Sequence, residues 1–260
     1  MSVTRTAFSR CAVALTFTAL CWAPTAVGQD ALPTAKELHT RYVDALGGRS
    51  ALSRHESSYV TGRFSIPSQG IEGTLEVYSA APTMMRLNVE IPGLGTVRSG
   101  SDGETFWTSN PAMGPMILEG TMREQTRQQA DFYGQLHPEE YVASAETVER
   151  TEFEGQPAYK VKVLTTWDEE YFEFYSVESG LLVGTIRTQE SPMGGVEAVS
   201  VMSDYRDFGG VMVATNIVQR VMGMEQIMTV DDIVYDAVDP SVFALPDEIK
   251  TLLSARKQPQ

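Results

Sequence analysis

From Ser57 onward, apolar and polar positions alternate with a period near 2 for most of the chain, and turn-forming residues interrupt the alternation about every eight to twelve positions. This pattern predicts antiparallel sheet. Strands are expected at 57–66, 73–79, 85–91, 96–101 and 104–108, and again at 147–153, 158–166, 171–177, 181–189, 196–208, 211–222 and 224–235. Pro67-Ser68-Gln69-Gly70, Ala81-Pro82, Pro92-Gly93, Asp102-Gly103, Glu154-Gly155, Ser179-Gly180 and Gly209-Gly210 mark the turns. Leu87, Val89 and Ile91 alternate with Arg86, Asn88 and Glu90, so that strand buries one face and wets the other.

Helical periodicity is confined to two stretches. Thr34-Ala35-Lys36-Glu37 has the spacing of a capping box, Leu38, Tyr42, Ala45 and Leu46 form one apolar stripe behind it, and Gly47-Gly48 offers a left-handed stop. Alternation also fails over 111–145, where Thr121 to Glu124 repeats the capping-box spacing. The apolar positions there, Met122, Ala130, Phe132, Tyr133 and Leu136, are sparse, so this helical insertion lies over something and fills no core of its own. Pro138 suits the start of a further short helix to about Ala143, and the chain is expected to be loose after about Ser254.

Eleven or twelve strands with one apolar face cannot be covered completely by two or three helices. The expected fold is therefore mainly β (α+β), a strongly curved antiparallel sheet with helices across its open side and an apolar, ligand-sized concavity beneath them. Residues expected to contact a ligand there are Phe64, Ile66, Leu75, Val77, Leu87, Val89, Trp107, Met116, Met122, Val161, Val163, Phe172, Phe174, Ile217 and Val221.

Composition narrows the class. With 42% hydrophobic and 21% charged residues, the 260-residue chain is neither a disordered polyelectrolyte nor a polytopic membrane protein. Arg5 and Arg10, the apolar run Cys11 to Trp22 and Ala26-Val27-Gly28 read as a secretory signal, residues 1–28, cleaved before Gln29. Residues 29–260 are then a single domain. Both cysteines fall in the leader, so disulfides play no part in the exported chain. The formal charge is −14, and −16 without the leader's two arginines, which argues against nucleic acid and anionic lipid as partners and allows peripheral membrane contact at most.

Catalytic motifs are missing. His39, His55 and His137 are scattered without metal-ligand spacing, and no nucleophile elbow, phosphate loop or dinucleotide fingerprint occurs. Asp168-Glu169-Glu170 reads as a solvated reversal, and Asp231-Asp232 point to opposite faces of a strand. No enzyme activity, metal or cofactor is expected.

Four runs resemble the periplasmic outer-membrane lipoprotein-sorting superfamily typified by LolA and LolB. They are Tyr42-Val43-Asp44-Ala45-Leu46-Gly47-Gly48, Asp102-Gly103 leading to Trp107, Asp204-Tyr205-Arg206-Asp207-Phe208-Gly209-Gly210, and Val238-Asp239-Pro240-Ser241-Val242-Phe243-Ala244-Leu245-Pro246. The resemblance implies an incomplete barrel with a helical lid that binds acyl chains in the periplasm of a Gram-negative bacterium. Its implied partners are a lipid or an acylated lipoprotein, and Arg63, near the end of the first strand, is the candidate for gating the cavity. A regulatory or scaffold module binding an envelope protein is the alternative, followed by a cofactorless enzyme built in the cavity.

Overall fold

A computed structural model describes residues 31–191 and 193–256. The leader expected over 1–28 lies outside the described residues. Helix α1 (Ala35–Ala45) starts from the expected capping box, with the Thr34 hydroxyl accepting from the Glu37 amide at 3.2 Å and the Glu37 carboxylate accepting from the Thr34 amide at 2.8 Å. Its stripe buries Leu38 against Val161, Val163, Tyr171 and Tyr175. Gly47 closes the helix at φ +116°, and a Cβ there would lie 2.1 Å from the Gly210 carbonyl oxygen, so both the dihedral and the space demand glycine. A four-residue helix, α2 (Arg49–Leu52), follows.

Thirteen strands then form one antiparallel sheet. The first six are β1 (Ser57–Ile66), β2 (Ile71–Ala80), β3 (Met84–Ile91), β4 (Gly95–Asp102), β5 (Phe106–Asn110) and β6 (Gly114–Ile117). Helix α3 (Gly120–Ala130) and two 3-10 turns (Gly134–Leu136, Pro138–Glu140) intervene. The second set is β7 (Val142–Phe153), β8 (Gln156–Thr165), β9 (Glu170–Ser176), β10 (Leu182–Gln189), β11 (Val196–Phe208), β12 (Val211–Val221) and β13 (Met224–Tyr235). The order is β6-β5-β4-β3-β2-β1-β13-β12-β11-β10-β9-β8-β7, so the second meander returns to pair β13 with β1, and the sheet ends on β6 and β7 without closing.

Helix α3 shows how the sheet bends. On one side it packs on Met85 of β3 and Phe106 of β5, and on the other Gln125 donates to the Thr188 carbonyl of β10 at 2.8 Å. In a flat sheet β5 and β10 would stand about 38 Å apart at about 4.8 Å per strand, whereas a helix of 11 residues is about 16 Å long. The sheet must curl around α3, and the face toward α1 and α3 is the concave one. This is the incomplete barrel with helices over its hollow side.

Two local expectations are corrected. Helix α3 begins at Gly120 with no side-chain cap, so Thr121 to Glu124 is not a capping box; Glu124 instead pairs with Arg123 and Arg127. The helix expected from Pro138 is one 3-10 turn, after which β7 begins. A helix that the sequence reading did not include, α4 (Asp247–Arg256), with a 3-10 turn at Pro240–Phe243 covers the outer face of β3 to β6. Ile249 and Phe243 are buried there, and Arg86 lies 4.8 Å over the Trp107 ring while donating to the Val242 and Ala244 carbonyls.

Candidate functional site

Strand register assigns each expected contact residue to a face. Val89 pairs with Leu75, Phe64 with Met228, Met228 with Ile217 and Val161 with Glu173. Followed across the sheet, these rows put Phe64, Ile66, Leu75, Val77, Leu87, Val89, Val161, Val163, Ile217 and Val221 on the inner face with α1 and α3. Met116 and Met122 join that face beside Phe106 and Met85. Phe64, Ile66, Leu87, Ile217, Val221 and Met228 belong to neither buried cluster beneath the helices and are only half-buried. The middle of the concave face, between the footprints of α1 and α3, is thus a trough of half-buried side chains, mostly these apolar ones, with Gln219, Gln226 and Ser200 among them.

Trp107, Phe172 and Phe174 lie elsewhere. Trp107 is sealed on the outer face beneath Arg86 and the C-terminal segment. Phe174 stacks on Phe153 at 4.2 Å and, with Phe172, belongs to an outer cluster formed where the β7–β8 hairpin folds over Gly184. Alternation along β9 separates these rings from the inner Tyr171, Glu173 and Tyr175. Arg63 also points outward: it is exposed and pairs with Asp231 at 3.2 Å, so it does not stand at the cavity mouth.

Beneath α1 the trough becomes polar. Glu173 accepts from the Tyr175 hydroxyl at 2.6 Å and the Tyr171 hydroxyl at 3.2 Å, and Tyr42 of α1 meets Tyr175 edge to face at 5.7 Å. Burial pushes the Glu173 carboxyl above the usual carboxylate range against the opposing pull of those hydroxyls and Arg187. It also pushes the phenols of Tyr42, Tyr171 and Tyr175 up, so they remain neutral donors.

Glu169 ties α3 to the far wall. It accepts from Arg187 at 2.9 and 3.1 Å, from Trp167 Nε1 at 3.0 Å and from Gln125 at 3.0 Å. Burial opposes ionisation of this carboxyl, yet these hydrogen bonds hold it below its ordinary value. The solvated reading of 168–170 fails for Glu169, whose side chain is 8% exposed. Turn composition concealed this contact because its partners come from β10 and α3.

Two further recesses were not foreseen. A pocket of about 230 Å³ beside the end of α3 is lined by His55, Ser58, Ser79, Asp131 and Tyr235 among others. His55 stacks on Tyr235 at 4.1 Å and its Nδ1 meets Asp236 at 2.7 Å, while Nε2 is buried without a partner. A groove of about 1040 Å³ runs along the outer face past Glu76, Asn88, Glu90 and Asp231. Of its arginines, Arg86 donates to the Val242 and Ala244 carbonyls and Arg98 pairs with Glu248 through one terminal nitrogen, while Arg98 Nε is buried without a partner. Among the described residues no group of three His, Cys, Asp or Glu could hold a metal ion. No described helix is long and apolar enough to cross a membrane.

No family model matches the chain, and no curated protein does. Solved structures do share its fold. A LolA superfamily protein from Nitrosomonas europaea superposes with a TM-score of 0.55 over 82% of this chain and 99% of its own, at 12% identity. A DUF1329 family protein from Desulfovibrio piger gives 0.55 over 80% and 96%, at 10% identity. An outer membrane lipoprotein-sorting protein domain from Vibrio parahaemolyticus gives 0.50 over 83% and 99%, at 10% identity. The fold is that of the LolA superfamily proteins.

Proposed function

We propose that this chain is a periplasmic binding or carrier protein that holds a lipid, a lipoprotein acyl chain or a similar apolar molecule in its concavity, without catalysis. The observation that carries the reading is the set Phe64, Leu87, Ile217, Val221 and Met228, which lies on the inner wall of a curled sheet and is only half-buried. Apolar side chains held in a concave wall gain by covering with another apolar surface. Each methylene so buried contributes about 0.8 kcal/mol, and a ten-carbon stretch on the order of 8 kcal/mol before ordering costs.

The fold shared with a lipoprotein-sorting domain supports the same reading. So does the leader reading of residues 1–28, which directs export and leaves 29–260 as the working domain. The test is native mass spectrometry of the mature chain isolated without detergent, followed by titration with a fluorescent fatty acid. The expected results are a co-purifying apolar molecule and saturable uptake of the probe. A folded protein that carries nothing and takes up no apolar probe rejects the proposal.

A further inference from the structure

One end of the curled sheet differs in chemistry from the rest of the molecule. Neighbouring strands of an antiparallel meander turn at alternate ends, so β1–β2, β3–β4, β5–β6, β10–β11 and β12–β13 all turn at the same end. Along the paired row Thr96, Glu90, Thr74, Arg63, Thr229 and Asn216, the β3–β4 tip stands about three residues beyond the row, the β1–β2 tip about five and the β12–β13 tip about six. Tilted strands in a barrel wall need this progressive stagger for their ends to lie level. The tips therefore form a rim.

Five tips of that rim are largely apolar. The rim presents Leu94, Met113, Met193, Met222 and Met224 at 58, 60, 90, 79 and 37% exposure, five of the eight large hydrophobic residues exposed among the described residues. Neighbouring tips touch: Gln69 donates to the Met224 sulfur at 3.1 Å, and a Cβ on Gly95 would lie 3.1 Å from Pro111. Positions 67–70, 92–95, 111–115, 191–195 and 222–224 hold no charged residue, in a chain with 34 Asp and Glu. Turns at the opposite end carry Asp102, Glu104, Glu178 and Asp207. Of the carboxylates at the rim, Glu225 is paired with Arg220 at 2.9 Å, and Glu190 is the first residue of the β10–β11 connection, its amide held by Gln125 and its carboxylate beside Gly195. The β8–β9 turn at this end is charged: Glu169 is tied inward to Arg187 and α3, while Asp168 and Glu170 are exposed, Glu170 pairing with Lys162 at 2.7 Å.

We propose that this rim docks on the surface of an uncharged or zwitterionic lipid bilayer, with the five side chains dipping into the boundary between headgroups and acyl chains. Flexible, unbranched methionines on separate tips suit a fluid apolar medium better than the fixed contours of a protein face. The scarcity of charge on these five tips lets a strongly acidic body approach lipid with little opposing desolvation. Docking stands on the rim alone; its use in passing a molecule between bilayer and concavity rests on the function proposed above.

Flotation of the full mature chain with phosphatidylcholine vesicles tests it. Wild type is expected to float, and a variant combining Leu94→Ser, Met193→Ser, Met222→Ser and Met224→Ser to float about tenfold less with an unchanged melting curve, since these side chains are exposed. Mixing phosphatidylglycerol into the vesicles is expected to weaken binding at low salt through repulsion of the mature chain, whose formal charge is −16. A wild type that never floats, or a variant that floats equally, overturns the proposal. So does a rim substitution whose only effect is to split a dimer. Fatty-acid uptake by the same variant separates the two readings: uptake kept with flotation lost supports docking, and uptake lost in both proteins counts against the carrier function alone.

Discussion

Two carboxylates four residues apart have opposite effects on stability. Glu173 is pushed up by burial, so its ionised form disfavours the folded state, and stability increases as pH falls through its raised value toward the ordinary carboxylate range. Glu173→Gln is accordingly expected to raise the urea midpoint at pH 8, with the gain vanishing near pH 4, where the carboxyl is protonated in both states. A lower midpoint at pH 8 would contradict this. Glu169 is held below its ordinary value, so its contribution is present above the unfolded pKa of about 4.5 and is lost as pH falls through the folded value. Glu169→Gln should cost about 2 kcal/mol at pH 7, because Arg187 loses its ionic partner in a half-buried setting. Equal urea midpoints at pH 7 would show the pair to be dispensable.

The two long helices over the concavity are held differently. Helix α1 inserts Leu38 into a buried cluster and is capped at its start, so Leu38→Ala should cost about 3 kcal/mol and Thr34→Ala about 1 kcal/mol in urea denaturation. Helix α3 buries only Ala130 and is fixed largely by polar contacts such as Gln125 to Thr188 and Glu169. Its amides are expected to exchange with deuterium well before those of α1, as local opening needs little apolar area to be exposed. Equal protection would show α3 to be a fixed part of the wall.

Much of this was legible in advance. Alternation placed β1, β11 and β13 at their observed bounds, and the capping box placed the start of α1. Strand β6 escaped because Gly114-Pro115-Met116-Ile117 is too short to alternate, and α4 because its apolar positions match a wall built from residues some 150 positions earlier. Alternation also divides a strand into two sets without saying which is inside. Phe172 and Phe174 were misplaced for that reason, since only the fold of Phe153 over Gly184 makes their side the outer one.

At the scale of the molecule, the proposed function rests on an imbalance: a curled sheet of thirteen strands has more apolar inner wall than α1 and α3 cover. Binding should therefore depend on which face of a strand is altered and not on how hydrophobic the altered residue was. Ile217 and Val218 are adjacent on β12 and both half-buried, with Ile217 facing inward beside Met228 and Val218 outward beside Ile227. The most direct measurement is fluorescent fatty-acid uptake by Ile217→Glu and Val218→Glu, each first shown to be folded by circular dichroism. The account predicts that Ile217→Glu weakens uptake by about tenfold or more, as a charge enters the trough, while Val218→Glu binds like wild type. Uptake lost in Val218→Glu and kept in Ile217→Glu would contradict it.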